Sequence, residues 1–349
     1  MEALRFVTDK TAVLIFTPVN RRYLTGFASS LGYLLLTSKG NILFVDSRYY
    51  EAAGKRAEGT EVRQFTKIFD QLQEVLAEVG AEKLLIETEV SVEFYQRLRS
   101  KLAVRVAPSA PLTNRLLQLR SVKKKEEIES IVCAQRIAEK AFDDILQFIA
   151  PGVSEKEIAA LLEYKMKQYG AEGIAFDTIA VSGANSSLPH GVPTDKAVEN
   201  GEFVTMDFGA VINGYCSDMT RTVAVGYATD EMAKVYETVL NAQENVIKTL
   251  SAGITGKQAD AAARDIITEA GYGEFFGHST GHGVGLEIHE QPNLSPSADK
   301  IKLRAGQIVT DEPGIYLPGK FGVRIEDMLL VQKNGCKNLT KAPKHLIIL

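Results

Sequence analysis

Apolar residues recur at spacings of three and four over residues 128–149, the pattern of one buried face of a long amphipathic helix. A Pro-Gly pair ends this pattern, because proline interrupts a helix and glycine is common just beyond a helix end. Ser154 followed by Glu157 is a capping-box signal. It predicts a second helix that runs to Gly170.

The same arrangement recurs 101 positions later without a gap. A Gly-Ile-Thr segment replaces Gly-Val-Ser, Gln258 takes the place of Glu157, and Gly271 takes that of Gly170. Self-similarity at a fixed offset predicts a duplicated unit. Here the unit is helix–helix–strand, and we expect its two halves to enclose a site between them. We assign this C-terminal domain to residues 121–349.

Residues 1–120 alternate short apolar runs with turn residues and helical stretches. The segment YLLLTSKGNILFVD predicts two strands around a Lys-Gly-Asn turn. The segment FDQLQEVLAEVG predicts an amphipathic helix ended by Gly80. We therefore expect a separate α/β domain at residues 1–120.

The segment GEFVTMDFGAVINGYCSDMTRTVAV carries two aspartates on a predicted β-hairpin. Asn213-Gly214 between two alternating segments is the strongest short signal for a type I′ turn. With that turn, Asp207 faces Thr220, and Asp218 lies one step along the diagonal on the same side of the sheet. Backbones at diagonal positions are about 7–8 Å apart, so both carboxylates can converge on one point.

Two carboxylates this close repel each other, and a bound divalent cation removes the conflict. The opposite face of the first strand carries Val204, Met206 and Phe208, which suit a hydrophobic core. An exposed hairpin with two unrelated acids is the alternative interpretation of this segment taken alone.

Three of the five histidines, His278, His282 and His289, fall within twelve residues of the glycine-rich stretch GHSTGHGVGLEIHE. On a helix, a spacing of four would suit two metal ligands. Four glycines make a helix improbable here, and an extended backbone is expected instead. We therefore expect only one of His278 and His282 to bind a metal directly.

Two further acids follow strand-like segments. Glu312 lies in TDEPG, where an apolar strand meets a turn, and Glu326 lies in GVRIEDMLLV. Read as one alternating strand, the second segment places Arg324 and Glu326 on the same face, and the arginine is predicted to orient that carboxylate. Surface glutamates are the alternative for both motifs.

Composition narrows the functional class. Lys and Arg number 40 against 44 Asp and Glu, a net charge of −4 that gives no electrostatic footprint for nucleic acid. We interpret the basic run Lys123–Lys125 as a solvated surface. No apolar stretch approaches the ~20 residues of a membrane span. Three widely spaced cysteines and an N-terminus unlike a signal peptide predict a cytoplasmic protein.

Taken in order, the motifs DFGAVINGYCSD, GHGVG, EPGIY and RIED resemble the ligand signature of the pita-bread metallopeptidases. The segments NRRYLTGF and FVDSRYYEAA resemble the N-terminal domain of aminopeptidase P, prolidase and creatinase. The resemblance covers essentially the whole chain. It implies an α/β N-terminal domain and an α+β pita-bread catalytic domain built from the duplicated helix–helix–strand unit.

The resemblance also implies roles for individual residues. Asp207 would hold the second of two metals, Asp218 and Glu326 would bridge both, and His282 and Glu312 would complete the first. Asp311 stands beside Glu312 where the family usually has an apolar or small polar residue, which leaves open which acid is the ligand. The resemblance further implies substrate contacts through His190, His278, His289 and Arg324, a proton shuttle at Glu312, and oxyanion stabilisation by His190 and His289.

The activity implied is hydrolysis of the Xaa-Pro bond at a peptide N-terminus, by an aminopeptidase or a dipeptidase, in a homodimer. Oxygen-rich ligation with one imidazole suits Mn²⁺ or Co²⁺, with Zn²⁺ and Fe²⁺ as alternatives. Two rival functions are a non-catalytic binding protein of the same fold and a metal-free, creatinase-like hydrolase of small amides. Both rivals usually lack part of the ligand set, whereas all five positions are filled here.

Overall fold

A computed structural model describes residues 5–349, which divide into two compact units, 5–120 and Ser121–Leu349. The first unit is an α/β domain around a six-stranded sheet of order β4-β3-β2-β1-β5-β6. Its elements are β1 (Thr11–Ile15), α1 (Pro18–Thr25), β2 (Gly32–Thr37), β3 (Gly40–Val45), α2 (Tyr50–Arg56), β4 (Glu61–Gln64), α3 (Ile68–Glu78), β5 (Lys83–Ile86), α4 (Val92–Lys101), β6 (Arg105–Pro108) and α5 (Ala110–Ser121).

The predicted hairpin and helix of the first unit are both present. Helix α3 is followed by Gly80 in the left-handed conformation (φ 69°), as its sequence indicates. The turn between β2 and β3 lies one residue earlier than predicted, because Gly40 pairs with Thr37 and leaves Ser38-Lys39 as the loop.

The second unit carries four long helices and four small sheets. Its helices are α6 (Lys125–Ile145), α7 (Glu155–Gln168), α8 (Asp230–Thr249) and α9 (Gly256–Glu269). Its strands are β7 (Gly173–Ile174), β8 (Ile179–Ser182), β9 (Phe203–Phe208), β10 (Ala210–Ile212), β11 (Tyr215–Cys216), β12 (Met219–Ala224), β13 (Gly281–Gly283), β14 (Glu290–Leu294), β15 (Ile308–Asp311), β16 (Gly314–Leu317), β17 (Phe321–Arg324), β18 (Asp327–Val331) and β19 (Cys336–Asn338).

The duplication is confirmed by matching helix boundaries. Complete capping boxes begin α7 at Ser154 and α9 at Thr255. Left-handed glycines end both helices, with φ 100° at Gly170 and 88° at Gly271. Each half also has its own hydrophobic core, one around α6 and α7 and one around α8 and α9.

The aspartate hairpin has the predicted register. Thr220 pairs with Asp207 between β9 and β12, and Asn213 and Gly214 have φ 50° and 74°, as a type I′ turn requires. At Gly209 the hairpin passes from one sheet to another, and a Cβ there would lie 1.9 Å from the Ser217 carbonyl oxygen. Asp218 therefore projects from the short break between β11 and β12.

The basic run Lys123–Lys125 is not wholly solvated, contrary to the prediction. Lys124 and Lys125 are exposed, but Lys123 is 5% exposed and its Nζ lies 3.1 Å from Glu290 Oε2. The acid that neutralises it is distant in sequence, so the local charge pattern gave no sign of this burial.

Within residues 5–349, every helix is too short or too polar to cross a bilayer.

Candidate metal centre

The second unit contains a cavity of about 710 Å³ that gathers every residue proposed for the site. Apolar side chains such as Phe176, Val192 and Ile288 line part of its wall. The predicted site residues that line it are His190, Asp207, Asp218, His278, His282, His289, Glu312, Arg324 and Glu326.

The two hairpin carboxylates are held differently. Asp207 Oδ2 accepts a hydrogen bond from Arg324 Nη2 at 2.8 Å, whereas its buried Oδ1 has no hydrogen-bond partner among residues 5–349. Asp218 is 4% exposed, and its Oδ2 lies 3.7 Å from His282 Nε2. A buried carboxylate oxygen without a donor is a free ligand position.

His282 projects from β13, so the extended backbone predicted for the glycine-rich stretch is confirmed. Cβ atoms at Gly281 and Gly283 would lie 2.1 Å from Thr310 O and 2.4 Å from Gln291 O, which explains why glycine is needed on both sides. The Nδ1 of His282 lies 3.1 Å from Gly283 O. If Nδ1 carries the proton, Nε2 is left as a metal-binding lone pair.

Glu312 and Glu326 complete the cluster. Glu312 Oε1 lies 3.3 Å from His282 Nε2, and Glu326 Oε2 accepts a hydrogen bond from Thr220 Oγ1 at 2.6 Å. Single donor atoms of Asp218, His282 and Glu326 lie within 4.8 Å of one another.

The partner predicted for Arg324 was wrong. The segment around Glu326 is not one strand: β17 ends at Arg324, and β18 begins at Asp327 in a different sheet. This break lets Arg324 donate to Asp207 while Thr220 takes over the orientation of Glu326.

Burial and, after it, mutual repulsion shape the electrostatics of the cluster. Burial and the negative charges of Glu326, Asp207 and Glu312 raise the pKa of Asp218 well above its ordinary value. Burial followed by Glu312 and Asp207 does the same to the pKa of Glu326. Burial alone would raise the pKa of Glu312, but its hydrogen bond to His282 and the His282 charge lower it. Positive charge therefore stabilises this cluster strongly.

The identity of the acid beside Pro313 follows from the geometry. Glu312 lines the cavity, while the fully buried Asp311 pairs across the strands with Asp327 and is absent from the cavity wall. Glu312 is therefore the candidate ligand and shuttle of the two.

Both ring nitrogens of His278 are hydrogen-bonded to groups other than the carboxylates of the cluster. Its Nε2 lies 2.8 Å from the Tyr316 hydroxyl, and its Nδ1 lies 2.8 Å from Ser279 O. Arg324 Nη1 donates to the same hydroxyl at 2.8 Å, so the hydroxyl hydrogen is free to point to His278. A hydrogen-bonded chain thus runs from Asp207 through Arg324 and Tyr316 to His278.

Sequence reasoning missed Tyr316 and Thr220. Tyr316 lies in the EPGIY motif but was given no role. A tyrosine within a buried strand needs a partner for its hydroxyl, and this was the signal available. Thr220 carried no comparable signal, because its two contacts, Glu326 and Arg324, lie more than a hundred residues away.

His190 and His289 lie on exposed loops at the cavity wall. The ring of His289 packs edge-on against that of His282, with centroids 4.3 Å apart. Burial lowers the pKa of both His278 and His289. The two side chains are therefore predominantly neutral at pH 7.

Two family patterns match this chain. Residues 129–333 match Metallopeptidase family M24, and residues 9–122 match the Creatinase/Prolidase N-terminal domain. The chain belongs to metallopeptidase family M24. The expected pita-bread catalytic domain with a creatinase-type domain before it is thereby confirmed.

This M24 peptidase is similar over nearly its whole length to proteins named for proline-specific cleavage. The Xaa-Pro dipeptidase of Pyrococcus horikoshii is 43% identical over 338 residues, which cover 96% of this chain and 94% of the relative. The structure of an Xaa-Pro dipeptidase from Bacillus anthracis has 44% identity and a TM-score of 0.93, covering 97% and 95% of the two chains. That of an X-Pro aminopeptidase from Thermotoga maritima has 40% identity and the same TM-score of 0.93, with 100% of both chains covered.

The donor set of the M24 peptidase fits divalent metal. Carboxylate oxygens with one imidazole suit hard or borderline cations, and the orphaned Asp207 Oδ1 offers an unused lone pair. A cation would also relieve the repulsion that raises the pKa of Asp218 and Glu326.

Replacing Arg324 in the peptidase should lower activity without removing all metal. In Arg324→Met, Asp207 loses its buried ionic partner and Tyr316 loses a donor, so we expect kcat/KM to fall about 100-fold. Arg324→Lys keeps the charge but not the forked geometry and should recover only part of the loss. Full activity in Arg324→Met would contradict the role assigned to this side chain.

Proposed function

We propose that this peptidase hydrolyses the bond between an N-terminal residue and proline, using two divalent cations. Asp207, Asp218, His282, Glu312 and Glu326 would hold them. The observation that carries the proposal is the convergence of four carboxylates and one imidazole on one cavity. Mn²⁺ or Co²⁺ is the expected metal, with Zn²⁺ and Fe²⁺ as alternatives.

The cations would polarise the scissile carbonyl and lower the pKa of a water molecule, so that it can lose a proton and attack the carbonyl carbon. Glu312 would take up the proton released in that attack, because it lies in the cavity beside His282 and its carboxylate is ionised. His190 and His289, on the same wall, would donate hydrogen bonds to the developing oxyanion. A bond to proline has no N–H, so selectivity must come from the shape of the cavity.

The rival functions are disfavoured by the donor set. Four buried carboxylates that repel one another lower the stability of the fold unless a cation neutralises them. A protein that only binds a partner would not require this arrangement. A metal-free amide hydrolase of the creatinase kind would not need it either. Elemental analysis of the purified protein separates these cases: two metal equivalents support the peptidase, and none would support either rival.

The charge of the cavity further favours substrates longer than two residues. Among the lining residues that the structure describes within 5–349, Arg324 is the only arginine or lysine. Its guanidinium already donates to Asp207, Tyr316, Thr220 and Pro189 O. The carboxylate of a dipeptide's proline would find no uncommitted lysine or arginine there. In a longer peptide a neutral amide takes that position.

Three substrates test this preference: Ala-Pro, Ala-Pro-Ala and Ala-Pro-amide, each with Mn²⁺ and with Co²⁺. An unpaired carboxylate forgoes a charge-assisted hydrogen bond, which corresponds to roughly tenfold or more in kcat/KM. We expect Ala-Pro-Ala and Ala-Pro-amide to exceed Ala-Pro by that factor. If the amide behaves like the dipeptide, chain length rather than charge is the determinant. Fastest cleavage of Ala-Pro would make the protein a dipeptidase.

The homodimer and the cytoplasmic location remain predictions. A homodimer is expected partly because two-fold dimers are the commonest oligomers. Light scattering on the intact protein measures its mass in solution and tests this prediction. A monomeric active enzyme would refute it.

A further inference from the structure

A buried ion pair lies in the second unit outside the cavity wall. The side chains of Lys123 and Glu290 are 1% and 3% exposed, and Lys123 Nζ lies 3.1 Å from Glu290 Oε2. Lysine and glutamate are almost never fully buried, and burying such a pair gains little stability over apolar residues of the same size. General stability therefore does not account for this pair.

The Glu290 carboxylate closes the loop between β13 and β14. Its Oε1 accepts a hydrogen bond from the Glu287 backbone N–H at 3.2 Å. It also packs directly against the backbone of Gly285, where a Cβ would lie 2.5 Å from Oε2. The carboxylate thus occupies the interior of loop 284–289 and sets its shape.

This loop presents His289 to the cavity. Within residues 5–349 the imidazole of His289 makes no hydrogen bond, and its ring contact is with His282. Apart from that ring contact, the position of the imidazole is set by the loop backbone. Lys123 comes from the segment before α6, far from the loop in sequence, and it supplies the charge that keeps the Glu290 carboxylate in place.

We infer that Lys123 and Glu290 are positioning residues for His289, holding its ring against the metal centre through the shape of loop 284–289. The inference rests on the proposed function in one respect, namely the oxyanion contact assigned to His289. Without Lys123, the buried Glu290 carboxylate loses this charged contact and is held less firmly inside the loop. His282 is held separately, because its backbone N–H donates to Thr310 Oγ1 at 3.0 Å.

A double-mutant cycle tests the inference. Lys123→Met should lower kcat for Ala-Pro-Ala about fivefold to tenfold while two metal equivalents are retained. His289→Ala should lower it further, and the double variant should be no worse than His289→Ala alone. Losses that multiply would overturn the inference, as would loss of metal from Lys123→Met. Glu290→Gln, which keeps the side-chain shape, provides the same cycle if Lys123→Met does not fold.

Arg264 offers a matched control. Its guanidinium pairs with Asp260 and donates to His278 O at 2.7 Å, so it braces the segment of a different histidine. The loss caused by Arg264→Met should multiply with that of His289→Ala. If the Arg264→Met loss in kcat also failed to multiply with that of His289→Ala, the cycle would be measuring a general disturbance of the site. The inference would then fail.

A measurement that does not depend on enzyme activity separates this inference from the proposed function. With five histidines in the chain, imidazole ¹³C–¹H signals of the metal-free protein can be assigned by single substitutions. Lys123→Met should shift or broaden the His289 signal and leave that of His278 in place. An unchanged His289 signal would overturn the positioning role. Full activity in His289→Ala would instead refute the oxyanion role and leave the positioning result intact.

Discussion

Asp218→Asn is expected to abolish peptide hydrolysis and metal binding together. Asp218 projects from the break in the hairpin toward both His282 and Glu326, and it is one of the two acids proposed to contact both cations. Stabilisation by metal is worth several kcal/mol, so we expect kcat/KM to fall by roughly 1000-fold or more. Asp207→Asn should cost less, because Asp207 is proposed to hold one cation only. Elemental analysis and Ala-Pro-Ala hydrolysis measure the two effects.

Asp311→Asn is the matched control for this substitution. Asp311 is also a fully buried acid of the same unit, but it lies outside the cavity wall. The variant should keep both metals and its turnover. An Asp218→Asn protein with two tightly bound metals and near-normal activity would contradict the proposal that Asp218 contacts both cations.

His282→Ala is expected to empty one metal position and to lower kcat/KM by about 1000-fold, whereas His278→Ala should keep both metals. His282 Nε2 faces Asp218 and Glu312, and it is the imidazole within the donor cluster. His278 instead donates from Nδ1 to the Ser279 carbonyl oxygen and accepts at Nε2 from the Tyr316 hydroxyl. Its loss breaks the chain that leads to Arg324, for which about a tenfold fall in turnover is expected.

Metal titration of the two variants side by side separates these roles. Both are His→Ala changes four residues apart, so the same side chain is removed in each protein. Equal metal loss in the two proteins would show that the division between ligand and cavity-wall histidine is wrong.

Local patterns were sufficient for much of the fold. The Asn213-Gly214 turn determined the hairpin register, because a two-residue type I′ turn leaves one pairing of the flanking strands. The capping boxes and left-handed glycines at equivalent positions revealed the duplication, because helix ends are specified by a few neighbouring residues. The glycines around His282 likewise excluded a helix.

Contacts between distant segments were decided by the tertiary structure alone. Arg324 was matched with Glu326 on a strand assumed to be continuous, whereas the chain breaks there and turns the guanidinium toward Asp207, 117 residues away. Lys123 was assigned to solvent because its partner, Glu290, is 167 residues away.

The sequence by itself therefore determined the hairpin, the duplicated helices and the order of the candidate ligands, all of which depend on interactions within a few residues of the chain. Which acid of Asp311 and Glu312 faces the cavity, and how Tyr316 links Arg324 to His278, became clear only when the sheets were packed together. Hydrogen bonds and ion pairs between buried groups depend on distance in space, and sequence separation carries almost no information about that distance.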